Sequence, residues 1–331
     1  VSTVEDGGSE ERDTLHPLAE KILNRDVRAL ARGLSLIEDR ADGYMDLLKD
    51  LYRRAGRARV MGVTGPPGAG KSTLVDKLIG AYRLQGLSVA VVAVDPSSAF
   101  SGGAILGDRI RMQDRATDPG VYIRSMATRG HMGGLAMATG DALTVLDAAG
   151  FDVILVETVG VGQDEVDIVR EADTVLVVLV PGLGDDIQAI KAGIMEIADV
   201  FVINKADREG VDRVEREIHS MLTLAGESLP WTPPIVKTVA VKGEGIPALL
   251  EAVDGHRCYL DSDGGREARL KLKYSQKFRD LLAERFLMEA SDRHLSSEKE
   301  ARLLESFLNR KSDPYTAVEE ILSHMRWEGE P

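Results

Sequence analysis

The sequence predicts an α/β fold: a mostly parallel sheet with helices on both faces, lengthened by helical extensions at its N- and C-terminal ends. Three observations predict it. Between Arg57 and about Asp254, apolar strand-like runs centred on Met61, Val91, Tyr122, Ile154, Val177, Val202 and Val236 alternate with helical segments. A Gly-rich turn, Gly65 to Ser72, joins the first run to the first helical segment. Asp95, Glu157 and Asn204 follow three of the runs directly, at the edge where open α/β sheets hold ligands.

The elements follow in order. Val1 to about Asp13 is polar and acidic and reads as disordered. His16 to Ala55 has helical periodicity, with Val27, Leu30, Leu34 and Ile37 on one face. Val60-Met-Gly-Val63 is a strand, and Ser72 to Leu84 a helix through Leu74, Leu78 and Tyr82. Val89–Val94, Val153–Val156 and Val200–Ile203 read as buried strands. After Asp261-Ser-Asp-Gly-Gly265 the composition changes. Arg266 to Arg326 is charged and helical, with apolar stripes through Phe278, Leu281, Leu282 and Phe286, then Leu303, Leu304, Phe307 and Leu308. Such stripes pack on a core domain or form an oligomer arm, and periodicity alone leaves both open. The expected division is a disordered start and helical extension over 1–56, a nucleotide-binding domain over 57–255, and a helical C-terminal extension over 256–331.

Gly65-Pro66-Pro67-Gly68-Ala69-Gly70-Lys71-Ser72 is a complete phosphate-binding loop between a strand and a helix, as in the P-loop NTPases, and Thr73 continues the helix. Glycines let backbone N–H groups turn inward toward phosphate oxygens, and the helix N-terminus adds a positive dipole end. Lys71 is placed for the β and γ phosphates and Ser72 for Mg²⁺. A plain turn before a surface helix would not need the whole motif.

Asn204-Lys205-Ala206-Asp207 leaves a buried strand and has the form of a guanine-reading loop. The Asp207 carboxylate can accept from the N1–H and exocyclic amine of guanine, a donor pair that adenine lacks, so the nucleotide is expected to be GTP or GDP. Asn204 and Lys205 would brace this loop and cover the ring. Thr238-Val-Ala-Val-Lys-Gly243 follows a further apolar segment, and Ala240 offers a backbone contact to the base; an ordinary loop reads the same way.

Between these ends lie the acids a Mg²⁺ site needs. Asp95 and Glu157 stand at strand ends, and Asp108 lies in Ile105-Leu-Gly-Asp-Arg-Ile-Arg-Met112. Mg²⁺ takes few protein carboxylates, so some of these would act through water. Helix capping explains Asp108 as well as metal binding does. Gly160 permits backbone approach to a γ-phosphate and reorganisation on hydrolysis. Arg124 to Gly134 is a basic, Gly-rich segment that suits a phosphate contact, a switch or a structural role equally. Lys191, judged locally, is a solvated helix lysine.

Composition sets the limits. The chain has 331 residues and a net charge of −13, which disfavours nucleic acid and anionic membranes as partners. No apolar run spans a bilayer, and the first residues are not signal-like. Cys258 is the one cysteine, so no internal disulfide forms and a cytoplasmic location is expected. The six histidines are scattered, without metal-ligand spacing.

The phosphate loop, Asp95-Pro-Ser-Ser98, Ile105 to Asp108, Arg124 to Gly134, Glu157-Thr-Val-Gly-Val-Gly-Gln163 and Gly182 to Lys191 together resemble the MeaB family, which includes ArgK and MMAA. The resemblance spans nearly the whole chain. It implies a homodimeric GTPase, built partly through the C-terminal extension, that docks on adenosylcobalamin-dependent methylmalonyl-CoA mutase. Members gate cofactor loading and help to remove damaged cofactor. It implies that Lys71 and Ser72 hold phosphates and Mg²⁺, that Asp95, Asp108 and Glu157 shape the metal and water site, and that Asn204, Lys205 and Asp207 read guanine. Gly182 to Lys191 resembles the family's third switch loop, whose lysine, here Lys191, swings toward the nucleotide to assist hydrolysis. Gln163 lies outside a Ras-like setting and carries little weight as a water-orienting residue. Isobutyryl-CoA mutase is an alternative client. A nickel-delivery GTPase is disfavoured by the missing His-rich tract, and a kinase by the guanine loop and the lack of an evident acceptor pocket.

Overall fold

The computed structural model describes residues 15–95, 115, 117–127, 134–158, 171–182, 197–224, 230–262 and 264–324. The expected disorder of residues 1–13 therefore lies outside the described residues. One compact unit ends at residue 263 and a second begins at Gly264.

The first unit opens with three helices, α1 (Ala19–Leu23), α2 (Val27–Glu38) and α3 (Tyr44–Tyr52). The continuous helical text from His16 to Ala55 is thus broken twice, where Arg25 (φ 58°) and Arg40 (φ 47°) take left-handed conformations. Asp26 then restarts the chain as the N-cap of α2, accepting from Ala29 N–H at 2.7 Å. Leu30, Leu34 and Ile37 are buried as expected, but Val27 is 65% exposed. It is the first residue of the helix, and Ala29 and Gly33 fill the buried face instead.

Seven strands follow: β1 (Arg59–Thr64), β2 (Val89–Asp95), β3 (Val121–Ala127), β4 (Val153–Thr158), β5 (Thr174–Leu179), β6 (Val200–Asn204) and β7 (Ile235–Thr238). They coincide with the seven expected runs. All neighbours are parallel, in the order β3-β2-β4-β1-β5-β6-β7. Among the described residues α4 (Lys71–Leu84), α5 (Gly134–Ala148) and α6 (Val211–Leu224) lie between strands, and α7 (Ile246–Ser262) follows β7. The strand order reverses about β1, so a crevice opens beyond its C-terminal end, where Gly65 begins.

Successive strand residues point to opposite faces, and the core divides accordingly. Val92, Ile154, Val156, Val177, Phe201 and Ile203 join α1, α2, α3, α5 and α6 on one face. Val63, Val91, Leu155, Leu176, Val178 and Val202 join α4 and α7 on the other. Both faces are covered, which is why the strands read as unbroken apolar runs. The N-terminal helices belong to this core. Arg124 on β3 adds a polar tie to them, donating to Glu38 Oε2 (2.6 Å) and Ser35 Oγ (3.0 Å) of α2. That gives Arg124 a structural role.

At the N-terminal edge of the sheet, aspartates satisfy the first strand amides. Asp173 accepts from Val60 N–H (3.0 Å) and Asp199 from Val175 N–H (2.8 Å). Asp152 accepts from the hydroxyl and amide of Ser88, and these bonds hold its carboxyl below the usual carboxylate range.

The second unit contains α8 (Gly265–His294), α9 (Ser297–Leu308) and α10 (Pro314–His324). Ser296 caps α9 through Lys299 N–H, and Asp313, just before α10, accepts from Thr316 N–H in its first turn. The expected apolar stripes stand largely uncovered within the single chain: Phe278 is 65% exposed and Leu308 85%, with Leu282, Phe286 and Leu304 also exposed. Among the described residues no helix is long and apolar enough to cross a membrane.

Because Leu34 is a fully buried core residue, Leu34→Ala is expected to destabilise the protein by about 2–5 kcal/mol, whereas Val27→Ala should change stability by less than about 1 kcal/mol. Denaturant unfolding of the two variants checks this.

Candidate nucleotide site

The phosphate loop is held by its own geometry and by side chains from two other strands. Gly65 (φ 144°) lies against β5, where a side chain would strike the Val178 carbonyl. Gly70 (φ 87°) caps α4, and a Cβ there would come within 2.5 Å of Asn204 Nδ2. Both positions require glycine. Lys71 opens α4 and is buried; its ammonium donates to Gly65 O (2.7 Å) and Pro66 O (3.0 Å). Ser72, one residue on, donates from Oγ to Glu157 Oε1 at 2.6 Å. Glu157 reaches it from near the end of β4, where it is 6% exposed.

The base loop meets the phosphate loop through Asn204, which is 2% exposed at the end of β6. Its Nδ2 donates to Ala69 O (2.8 Å). Its Oδ1 accepts from Thr238 Oγ1 and from Ala240 N–H, each at 3.1 Å. Lys205 adopts a left-handed conformation (φ 56°) and donates from Nζ to Gly68 O at 2.7 Å. Ala206 N–H donates to Thr238 O (3.0 Å). A cleft of about 150 Å³ lies between these loops, lined among others by Gly70, Thr73, Asn204, Lys205, Asp207 and Ala240. Asp207 stands half-exposed at this cleft with Lys242 Nζ 3.8 Å from its carboxylate.

The fold thus brings together the phosphate loop, Thr73, Glu157, Asn204, Lys205, Asp207 and Ala240. The Ala240 amide is engaged by Asn204. Asp95 is the last residue of β2, but its side chain lies outside the described residues, as do Asp108, Gly160, Gln163 and Lys191. Among the described residues no three His, Cys, Asp or Glu side chains gather in a metal-binding group. Sequence reasoning missed the Thr238 hydroxyl and Lys242. Thr238 had a signal, a polar residue closing an apolar strand; it stands opposite Asn204 in the sheet register. Lys242 had none beyond its nearness to Ala240.

The expected donor set is consistent with the ligand. Glycines in left-handed conformations at a helix N-terminus suit phosphates, and a hydroxyl beside a carboxylate presents hard oxygens to a small divalent cation.

Comparison with known proteins points the same way. The family model described as "Methylmalonyl Co-A mutase-associated GTPase MeaB" matches residues 30–294. The Pyrococcus horikoshii protein PH0274 is 48% identical over 308 residues, covering 92% of this chain and 96% of its own. GTPase ArgK of Escherichia coli is 38% identical over 258 residues, covering 75% and 78%. The crystal structure of an LAO/AO transport system kinase matches with a TM-score of 0.69 at 26% identity, over 92% of this chain and 95% of that one.

Asn204→Ala deletes the three Asn204 side-chain bonds, to Ala69, Thr238 and Ala240, and leaves buried groups without those partners. It is expected to weaken guanine-nucleotide binding by at least about 30-fold, or ~2 kcal/mol, as read by titration calorimetry.

Proposed function

The chain belongs to the MeaB family of GTPases, and from that premise we propose that it hydrolyses GTP, with Mg²⁺, as a chaperone of an adenosylcobalamin-dependent mutase, methylmalonyl-CoA mutase first among the candidates. The nucleotide half of this reading rests on one observation: Asn204 joins the phosphate loop to a loop that carries Asp207 into the same cleft. The client half rests on family membership.

In this reading the backbone amides of the phosphate loop receive the phosphates, and Lys71 turns its ammonium to the β and γ oxygens. Ser72 and Glu157, already 2.6 Å apart, would hold the Mg²⁺ shell, with Glu157 acting directly or through water. Asp95 and Asp108 would complete it. Mg²⁺ would supply charge neutralisation on the transferred phosphate. Asp207 accepts from guanine while the stem of Lys205, fixed by Gly68 O, covers one ring face. Phosphoryl transfer depends mainly on positioning and charge stabilisation. A site whose last cation sits on a separate segment is therefore slow alone, and a client that brings Lys191 inward raises the rate.

The exposed stripe of the second unit supports a homodimer. Phe278, Leu282 and Phe286 recur at helical spacing, an apolar face suited to a second copy.

The structural relative described as a kinase gives a second reading, in which the γ-phosphate passes to an acceptor rather than to water. Labelled GTP separates the two by where the phosphate appears.

The purified chain is expected to bind GTP far more tightly than ATP and to release phosphate slowly. Hydrolysis should rise at least about tenfold with methylmalonyl-CoA mutase. An unchanged rate with no complex formed would rule out this client. Asp207→Ala should lower GTP affinity by about 10- to 100-fold, consistent with two charge-assisted hydrogen bonds lost. Equal binding of GTP and ATP by the wild type would contradict the base assignment.

A further inference from the structure

We infer that Thr158, bonded to Thr64, is a positioning residue that fixes Glu157 and the root of the phosphate loop against each other; this rests on the proposed GTPase activity. The centre of the sheet holds an anomaly. β1 and β4 lie side by side in its centre, and both are buried on both faces. Apolar residues fill nearly all of their positions, yet each strand ends in a threonine that is 0% exposed. Valine has the same shape and would satisfy the packing without burying a hydroxyl. The two hydroxyls meet, Thr158 Oγ1 donating to Thr64 Oγ1 at 3.0 Å.

Their placement gives the bond its use. Glu157 and Thr158 are consecutive in a strand, so they face opposite sides of the sheet. Glu157 shares its face with Val153 and Leu155, on the side of α4, and meets Ser72 there. Thr158 shares its face with Ile154 and Val156, on the side of α5. The last two residues of β4 are therefore tied on both faces of the sheet. Turning the end of the strand about its axis, the motion that would swing the Glu157 carboxylate off Ser72, breaks both ties. Thr64 directly precedes Gly65, so the same bond also anchors the start of the phosphate loop. The carboxylate at the metal and water position and the loop that receives the phosphates share one buried fastening, and phosphoryl transfer is sensitive to such alignment.

The test compares Thr158→Val, which keeps the shape and removes the hydroxyl, with Thr158→Ser, which keeps the hydroxyl. At saturating GTP and Mg²⁺, Thr158→Val should lower the hydrolysis rate about tenfold through misalignment of Glu157. GDP affinity should stay within about twofold of wild type, because the phosphate and base contacts remain, and Thr158→Ser should restore the rate to within about twofold. Thr64→Val removes the same bond from the other side. It should reproduce the loss, and in the double valine variant the two losses should combine to less than their product. A Thr158→Val rate equal to wild type, a Thr158→Ser rate as low as that of Thr158→Val, or losses that multiply in the double variant would each overturn the positioning role. If Thr158→Val does not fold, Thr64→Val carries the same comparison. A wild-type chain that releases no phosphate from GTP overturns the proposed activity itself; active wild type beside equally active valine variants overturns only the positioning role.

Discussion

Asn204 uses one amide side chain to hold three segments: the phosphate loop through the Ala69 carbonyl, the end of β7 through the Thr238 hydroxyl and the following turn through the Ala240 amide. Because the group is buried, each bond is made in surroundings where an unmet partner is costly. The neighbouring chemistry depends on it. Gly70 must lack a side chain because Asn204 occupies the space, and Lys205, next in sequence, reaches back to Gly68. Bonds from Asn204 and Lys205 hold the Gly65–Ser72 loop against the Asn204–Asp207 loop without a ligand, and a preformed cleft spares a ligand the cost of ordering loops.

The sheet makes this arrangement possible by giving its two edges different tasks. At the N-terminal edge, Asp152, Asp173 and Asp199 are used to satisfy strand amides. At the C-terminal edge, Thr64, Glu157, Thr158 and Asn204 end central strands with side chains that bond to other elements. The N-terminal helices are part of the same structure, since Leu30, Leu34 and Ile37 share a core with the strands and Arg124 ties β3 to Glu38. The phosphate loop, the Asn204 loop and the first helices are consequently all attached to one sheet.

Much of this was legible in the sequence because its causes are local. Strands buried on both faces demand unbroken runs of Val, Ile and Leu, and a phosphate loop needs its glycines within a few residues of one another. What could not be read depends on distant partners. Arg124 and Glu38 are far apart in the chain, so the sequence leaves a structural role for Arg124 level with the functional ones and cannot name its partner. The breaks at Arg25 and Arg40 fall on residues without turn preference. Periodicity identified the faces of α8 and α9 but not what covers them. It placed Val27 on the buried face of α2 although the helix end leaves it in water. Thr64 and Thr158 lie just beyond the strand runs read from the sequence, and their pairing is visible only in the structure. The roles of Asp108 and Lys191 rest on the family resemblance, since their segments lie outside the described residues.

Asn204 is expected to fix the two halves of one guanine-nucleotide cleft before the ligand arrives. A crystal structure of the protein with GDP and Mg²⁺ tests it most directly. Phosphates are expected in the Gly65–Ser72 loop, guanine against Asp207, and the Asn204 bonds to Ala69, Thr238 and Ala240 still at 2.8, 3.1 and 3.1 Å. A base bound elsewhere, or an Asn204 side chain turned out of the cleft to admit the nucleotide, would contradict it.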